Sequence, residues 1–281
     1  MTGNLHLVSE ETSNIESFLF YRALVECCQE NELPDLVIID GEPNHVIGQT
    51  YAPDLYKSAS NSPIATIQFD NQLQCHQLDI MLDLAMSGNQ VFVNVPMVSF
   101  SIIDDWLSPV DLKDLVDTYS VKLWRWFVTD GTTESIEALK ESYQNYGGLI
   151  NHLIVKKEGG YRNMTNSWFT WKNDAQLQSY LATFPTHQFM MPTLYIPDYR
   201  WDVIKKNRLS FTEAKTHGHT AVTILEKQKI HTWLNTMFNQ LSSIPFDQFE
   251  DYSEFEAFDY ADLFSDDTDD DFDENELAFL F

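Results

Sequence analysis

Basic residues are scarce in this chain. Lys and Arg together number 17 against 43 Asp and Glu, which gives a formal net charge of −26 at pH 7. A protein that binds nucleic acid contacts the phosphates through clustered Lys and Arg, and a strongly acidic chain offers few such clusters. Direct binding to nucleic acid is therefore not expected.

Cysteines, long apolar runs and targeting signals are also scarce. The three cysteines, Cys27, Cys28 and Cys75, have no metal-ligand spacing, and the adjacent pair falls on an apolar helical pattern typical of buried free thiols. No run approaches the roughly 18 to 20 apolar residues of a membrane span. No basic segment followed by an apolar one opens the chain, as it would in a secretory signal. These absences predict a cytoplasmic protein without a membrane segment or a metal site.

The acidic charge is unevenly distributed along the chain. Residues 1–150 hold 22 acidic and 6 basic groups, whereas residues 151–229 hold 6 acidic and 11 basic groups. Residues 246–281 hold 15 acidic groups and no basic one. The sequence therefore predicts one domain over residues 1–245, long enough to bury a large core, and an acidic C-terminal tail over residues 246–281.

Strand-like apolar runs alternate with helical periodicity through the predicted domain. This alternation predicts an α/β fold, doubly wound, with a mostly parallel sheet and helices on both faces. The predicted strands cover residues 6–8, 36–39, 64–69, 91–95, 122–128, 152–155 and 189–196. The predicted helices cover residues 15–30, 70–87, 102–118, 133–146, 174–182 and 221–241.

The turn after the first predicted strand lacks the residues that bind phosphate. A phosphate-binding loop between a strand and a helix needs glycines, so that backbone N–H groups can approach the anion, and a lysine for its charge. No glycine and no lysine occurs between Leu5 and Arg22. Ser13 and Glu16 have the spacing of a capping box, which would place a carboxylate at the helix end where a phosphate would otherwise bind.

The order of these segments resembles the ParA/MinD branch of the P-loop ATPases, and in particular the MobD-like proteins of mobilisable plasmids. Asp40-Gly41-Glu42-Pro43-Asn44 is similar to the D-x-D-P-Q signature of that family. Residues 91–96 are similar to the strand of that family that normally ends in Asp-Leu-Pro, and residues 103–107, 124–131 and 207–211 resemble MobD-like segments. The resemblance covers about residues 5–241. It implies a P-loop NTPase-like fold and a homodimer or higher assembly, since ATP-bound members of the family dimerise face to face across the nucleotide.

The departures from the family pattern fall where the family performs its chemistry. Both signature lysines and all loop glycines are replaced, and the strand-end aspartate that would orient Mg²⁺ reads as Asn94. Lys156-Lys157 stands where a base-recognising Asn is expected. Phosphoryl transfer depends on positioning and electrostatics, so these losses predict a pseudo-ATPase with no catalytic residue, no cofactor and no metal. The degenerate nucleotide site comprises Glu11, Thr12, Ser13, Asn14, Glu16, Ser17, Asp40, Glu42 and Asn94, with Phe18 in place of Ser17 in a second register.

The tail combines acidic residues with regularly spaced aromatic ones. Ten aromatic residues occur in residues 246–281, a composition typical of segments that fold on the surface of a partner protein. The predicted partner-binding residues are Phe246, Phe249, Tyr252, Phe255, Phe258, Phe279 and Phe281. A disordered solvated tail is the alternative. The basic segment around Lys205, Lys206 and Arg208 could bind an anionic partner, or the tail itself.

Several function hypotheses follow. The first is a non-catalytic scaffold or adaptor; the alternatives are an unorthodox but active ATPase of plasmid partition or mobilisation, and an acidic DNA mimic that binds a nucleic-acid-binding protein.

Other groups of residues that could suggest a site have simpler interpretations. Asp104 and Asp105 suit a helix start, His217 and His219 suit a loop, and Cys75-His76 lacks the geometry of a catalytic pair. Aromatic residues near Lys172 suit a contact with another protein, with base stacking as the alternative; they are Trp168, Phe169 and Trp171, together with Arg162.

Overall fold

The computed structural model describes most of the predicted domain. The described residues are 3–10, 15–41, 46–51, 64–66, 75–96, 100–108, 112–158, 167–184, 186–216, 222–242 and 244. They all belong to the first of two units, Met1–Phe249 and Glu250–Phe281. The predicted aromatic residues of the tail therefore lie outside the described residues, as do Glu11, Thr12, Ser13, Asn14 and Glu42. Glu16 and Ser17 lie in a described helix, but their side chains are not described.

Seven strands form one sheet in the described part of the chain. The strands follow the order β3-β2-β4-β1-β5-β6-β7, and every strand pair is parallel. Each strand lies at one of the seven positions that the sequence predicts. Their bounds are β1 Gly3–Glu10, β2 Leu36–Asp40, β3 Ile64–Thr66, β4 Gln90–Asn94, β5 Val121–Thr129, β6 Asn151–Lys157 and β7 Thr186–Met191.

Helices connect the strands and also follow the last one. Their bounds are α1 Ile15–Glu30, α2 Val46–Tyr51, α3 Cys75–Met86, α4 Phe100–Leu107, α5 Leu112–Tyr119, α6 Thr133–Tyr146, α7 Ser167–Asn173, α8 Ala175–Thr183, α9 Asp198–Lys206, α10 Phe211–Lys215 and α11 Ile224–Leu241. A short 3-10 helix, Gly147–Leu149, follows α6. The α/β class and the parallel sheet are confirmed.

Some predicted boundaries are wrong. The helix predicted over residues 102–118 is two helices, α4 and α5, and Pro109 lies between them in the sequence. Proline has no N–H to donate and its ring clashes with the preceding turn, so one continuous helix is unfavourable there. The last predicted strand ends at Met191, because Pro192 cannot continue the ladder. Four helices of five to nine residues, α2, α7, α9 and α10, are absent from the prediction because they are too short to show a clear period.

Alternate residues of the strands pack against helices on opposite faces of the sheet. Trp124 and Trp126 of β5 belong to a core formed with α1, α9, α10 and α11, and this side is called the α1 face. Leu123 of the same strand packs with α3, α4 and α5 on the other side, where Phe127 packs with α6, α7 and α8. Helices thus cover both faces, which explains the nearly continuous apolar character of the central strands.

Candidate functional site at the carboxyl edge of the sheet

Asp40 and Asn94 are neighbours at the carboxyl edge of the sheet, where ligands of open α/β folds usually bind. They end β2 and β4 and pair directly in register. Asp40 is fully buried, and its Oδ2 accepts hydrogen bonds from the backbone N–H groups of Ile47, at 2.9 Å, and Gly48, at 3.1 Å. The carboxylate therefore caps the first turn of α2.

Asn94 is also buried, at the end of β4. Its backbone carbonyl accepts a hydrogen bond from Gly41 N at 3.1 Å, while its side-chain Nδ2 has no hydrogen-bond partner among the described residues. A buried amide donor without a partner costs about 1–3 kcal/mol. The strand end that resembles the Asp-Leu-Pro segment of the family thus carries a neutral donor rather than a carboxylate.

Tyr21 of α1 closes the gap between these two strand ends. Its hydroxyl lies 2.8 Å from the carbonyl oxygen of Phe92 and 3.1 Å from that of Ile39. Burial, followed by the negative charge of Asp40, raises the pKa of Tyr21 well above its usual value, so the hydroxyl stays protonated and donates. Tyr21 is not among the predicted site residues, because a tyrosine within an apolar helical pattern gives no sign of a partner in a distant strand.

Phe18 lies between two cationic side chains near the start of α1. The guanidinium carbon of Arg22 is 5.5 Å from the centre of the Phe18 ring, and Nζ of Lys205 is 5.3 Å from it. Both distances are those of cation–π contacts. Lys205, one residue of the predicted basic segment, thus contacts α1 through Phe18. Lys206 and Arg208 are exposed, and Arg208 has a left-handed backbone with φ of 53°.

A buried ionic network joins α1 to the chain that follows the sheet. Oε1 of Glu26 accepts from the Tyr51 hydroxyl and from Phe211 N, both at 2.6 Å. Its Oε2 accepts from N and Oγ1 of Thr212, at 2.9 and 2.8 Å. The carboxylate of Glu26 therefore caps α10 while holding Tyr51 of α2.

Arg22 completes this network one helical turn before Glu26. Its Nε donates to the Tyr51 hydroxyl at 3.2 Å, its Nη2 donates to the Leu209 carbonyl, and its guanidinium carbon lies 4.7 Å from the centre of the Phe211 ring. The side chain is fully buried, and Nη1 has no hydrogen-bond partner in the part of the chain that is described. Tyr51 thus bridges two opposite charges inside the protein, where removal of either charge would leave the other uncompensated.

A serine and a histidine meet on the other face of the sheet. Oγ of Ser142 lies 2.8 Å from Nε2 of His152, and Nη1 of Arg125 donates to the same Oγ at 2.5 Å. Burial, with the charge of Arg125 second, lowers the pKa of His152 to about 3. All three side chains are buried. Nucleophilic catalysis needs an accessible serine and a histidine oriented by a third group, so this cluster is structural.

Asp104 belongs to the same region, and its predicted place at a helix start is wrong. It is the fifth residue of α4, and its Oδ1 accepts from the Tyr146 hydroxyl at 2.5 Å. Burial raises the pKa of Asp104, while the Tyr146 hydrogen bond and the charge of Arg125 oppose that shift. Asp104 is therefore held by tertiary contacts and not by a helix dipole.

A small cavity lies beyond the carboxyl ends of β6 and β7 on the α1 face. Its volume is about 140 Å³, which is enough for a few water molecules. The indole N–H of Trp233 donates to the Pro192 carbonyl at 2.7 Å at the rim, and Thr193 N donates to Oε2 of Glu158 at 3.1 Å. The lining residues are Leu19, Lys157, Glu158, Met191, Pro192, Thr193, Leu194, Ile196, Asp198, Trp201 and Trp233.

The aromatic residues predicted to form one contact surface, Trp168, Phe169 and Trp171, differ in how far they are buried. Nζ of Lys156 lies 4.7 Å from the ring centre of Trp171 and 5.6 Å from that of Trp168. Burial, and then the charge of Lys172, lowers the pKa of Lys156. Trp171 belongs to the core, whereas Phe169 is 66% exposed. Only part of the cluster thus faces outward; Arg162, His217 and His219 lie outside the described residues, and the side chain of Cys75 is not described.

The described part of the chain has neither a metal-binding cluster nor a membrane-spanning helix. In that part of the chain no group of three or more His, Cys, Asp and Glu side chains has an arrangement that could hold a metal ion. None of the helices described is both long and apolar enough to cross a membrane.

Comparison with known proteins adds no family. No protein-family model matches the chain, and no curated protein matches it. The resemblance to ParA and MobD-like ATPases therefore stays a prediction from sequence motifs. A parallel sheet with helices on both faces is common to α/β proteins of many functions, so the fold alone does not select among them.

Proposed function

We propose that the protein is a non-catalytic, ParA/MobD-like scaffold or adaptor. It acts through self-association and through the acidic, aromatic tail, which binds a protein partner, in plasmid mobilisation or partition. The proposal rests mainly on the burial and the hydrogen bonds of Asp40. The first acidic residue of the family-like signature is a buried helix cap, whose Oδ2 accepts hydrogen bonds from two backbone N–H groups.

The neighbouring position supports the same interpretation. Asn94 stands where the resemblance expects an aspartate that orients Mg²⁺, and its Nδ2 is a hydrogen-bond donor. An amide carries no charge to attract a divalent cation, whose preferred ligands are carboxylate, carbonyl and water oxygens. The segment between β1 and α1 contains Glu11 and no lysine, and its negative charge would repel a triphosphate.

Titration calorimetry with ATP and Mg²⁺ tests the catalytic part of the proposal. The full chain is expected to show no binding at ATP concentrations up to about 1 mM, which corresponds to less than about 4 kcal/mol of binding free energy. Micromolar affinity that is lost in Asp40→Asn, together with Mg²⁺-dependent phosphate release, would instead establish the active ATPase alternative. Asp117→Asn is the matched control, because Asp117 is exposed on α5.

The role of the tail is tested in the full chain by replacing its anchors. The double variant Phe255→Ser with Phe258→Ser removes two aromatic side chains and leaves the net charge unchanged. The amount of partner protein that the immobilised chain captures is therefore expected to fall at least tenfold. The double variant Asp269→Asn with Asp270→Asn is the control, since it removes two charges and keeps every aromatic side chain of the tail. If the serine variant captures the same partner as strongly as the wild type, the adaptor role of the tail is wrong.

The acidic charge also favours a second candidate, a DNA-mimicking protein. Fifteen acidic groups in 36 residues could occupy the basic groove of a nucleic-acid-binding partner. Such binding would weaken steeply with salt, and duplex DNA would compete for the partner. Binding anchored by aromatic rings would depend less on salt and would resist that competitor.

A further inference from the structure

The last strand of the sheet, β7, has a partner on one side in the described part of the chain. It pairs with β6 over Thr186–Met191, and the sheet order ends there. The outer side of an edge strand presents backbone N–H and C=O groups that can pair with another strand. The opposite edge strand, β3, is only three residues long in the described range, so β7 is the longer of the two edges.

The composition of β7 is unusual for an exposed edge. The strand reads Thr-His-Gln-Phe-Met-Met, with no Asp, Glu, Lys or Arg in a chain of net charge −26. His187 and Gln188 are exposed, and Met190 is 40% exposed. Natural proteins usually protect such edges with charged side chains, a bulge or a proline inside the strand. The six residues of β7 include none of the charged side chains that would prevent pairing.

Prolines limit the strand at both ends. Pro185 precedes β7 and Pro192 follows it in the sequence. Because proline cannot donate to a ladder, any pairing along this edge is confined to about these six residues. A confined edge favours a closed pair of strands over an open-ended, growing sheet.

We propose that β7 pairs with β7 of a second copy of this chain, antiparallel across a two-fold axis, to form one continuous sheet through two protomers. The inference rests on the self-association included in the proposed function and names its surface. Two copies that each carry a charge of −26 repel one another, so they approach best through a surface without charge. A single strand is self-complementary in the antiparallel direction, as a two-fold interface requires.

The physics of this interface sets its strength and its response to salt. Two paired strands of six residues bury less than the roughly 1,200–2,000 Å² of a stable interface, so the dissociation constant is expected to be on the order of micromolar or weaker. Salt screens the repulsion between the acidic protomers, and β7 has no Asp, Glu, Lys or Arg to form ion pairs across the interface. Dimerisation through β7 should therefore strengthen as salt is raised.

Sedimentation velocity of the full chain tests the inference. Between about 1 and 500 µM protein a monomer–dimer equilibrium is expected, and raising NaCl from about 0.05 to 0.5 M should tighten it at least threefold. The double variant Gln188→Lys with Met190→Lys places like charges on the same face of the strand pair. It should weaken dimerisation at least tenfold, although it lowers the overall acidic charge of each copy.

A matched control places the same charges elsewhere. Gln144→Lys with Asn239→Lys adds two lysines on the exposed surfaces of α6 and α11, so it should keep or tighten the dimer. If the chain dimerises but the β7 variant dimerises as the control does, β7 is not the interface, while self-association stands. If the wild type is monomeric up to the highest concentration, both this inference and the self-association in the proposed function are wrong. Circular dichroism checks that the β7 variant is folded.

Discussion

Replacing Glu26 by Gln is the sharpest test of what holds α1, α2 and α10 together. The carboxylate accepts four hydrogen bonds, from the Tyr51 hydroxyl, from Phe211 N, and from N and Oγ1 of Thr212. A glutamine has one acceptor oxygen and one NH₂ group. Whichever way the amide is turned, its NH₂ group faces a backbone N–H that cannot rotate away.

The expected cost has two sources. One backbone N–H, that of Phe211 or of Thr212, loses its acceptor, which costs about 1–3 kcal/mol where the group is buried, and the fully buried Arg22 loses its counter-charge. Arg22 and Glu26 are joined through the Tyr51 hydroxyl, and removing one of two such opposite buried charges costs about 3–5 kcal/mol in total. The free energy of unfolding of Glu26→Gln should therefore fall by about 3–5 kcal/mol, which lowers Tm by about 6–20 °C.

Urea denaturation followed by tryptophan fluorescence measures this change. Glu30→Gln is the control, since Glu30 is exposed on the same helix and should alter the free energy of unfolding by less than about 0.5 kcal/mol. Tyr51→Phe and the double variant complete a cycle, whose coupling energy should exceed about 0.5 kcal/mol. A loss below about 1 kcal/mol in Glu26→Gln would refute the reasoning, because a buried carboxylate that accepts four hydrogen bonds cannot be replaced at so small a cost.

Two further predictions concern the sheet. Asp40→Ala removes the cap of α2 and should cost about 1–2 kcal/mol of unfolding free energy, whereas Asp117→Ala on the exposed side of α5 should change little; equal effects in urea denaturation would contradict the capping role. The pKa of His152 is lowered to about 3 in the folded protein, so the unfolded chain binds a proton first as pH falls below about 6.5, and stability falls with it. From pH 7 to 5 this histidine should cost the wild type about 2 kcal/mol, a loss that His152→Gln should lack. The same pH dependence in both proteins would show that His152 is protonated equally in the folded and unfolded states.

The sequence predicts secondary structure well where the pattern is long or strongly apolar. Several strands, among them β2 and β4, are short runs rich in Val or Ile, and α1 and α6 have the bounds that their periodicity predicts. Helices of five to nine residues, such as α10, give too few turns to show a period. The start of α10 combines a local capping box, Ser210 with Glu213, with hydrogen bonds from its first N–H groups to Glu26, which lies 185 residues away in the sequence.

The properties of the candidate site also fall into two groups, those that the sequence determines and those that depend on the tertiary structure. The sequence alone determined that the turn after β1 lacks glycine and lysine and that Asn94 is neutral, because these are properties of composition at fixed positions. Only the tertiary structure decided that Asp40 is a buried cap, that Tyr21 closes the gap between β2 and β4, and that Arg22 and Glu26 share Tyr51. The physical reason is that burial and hydrogen-bond partners arise when distant segments pack, whereas strand periodicity and charge are local properties that every window of the chain already contains.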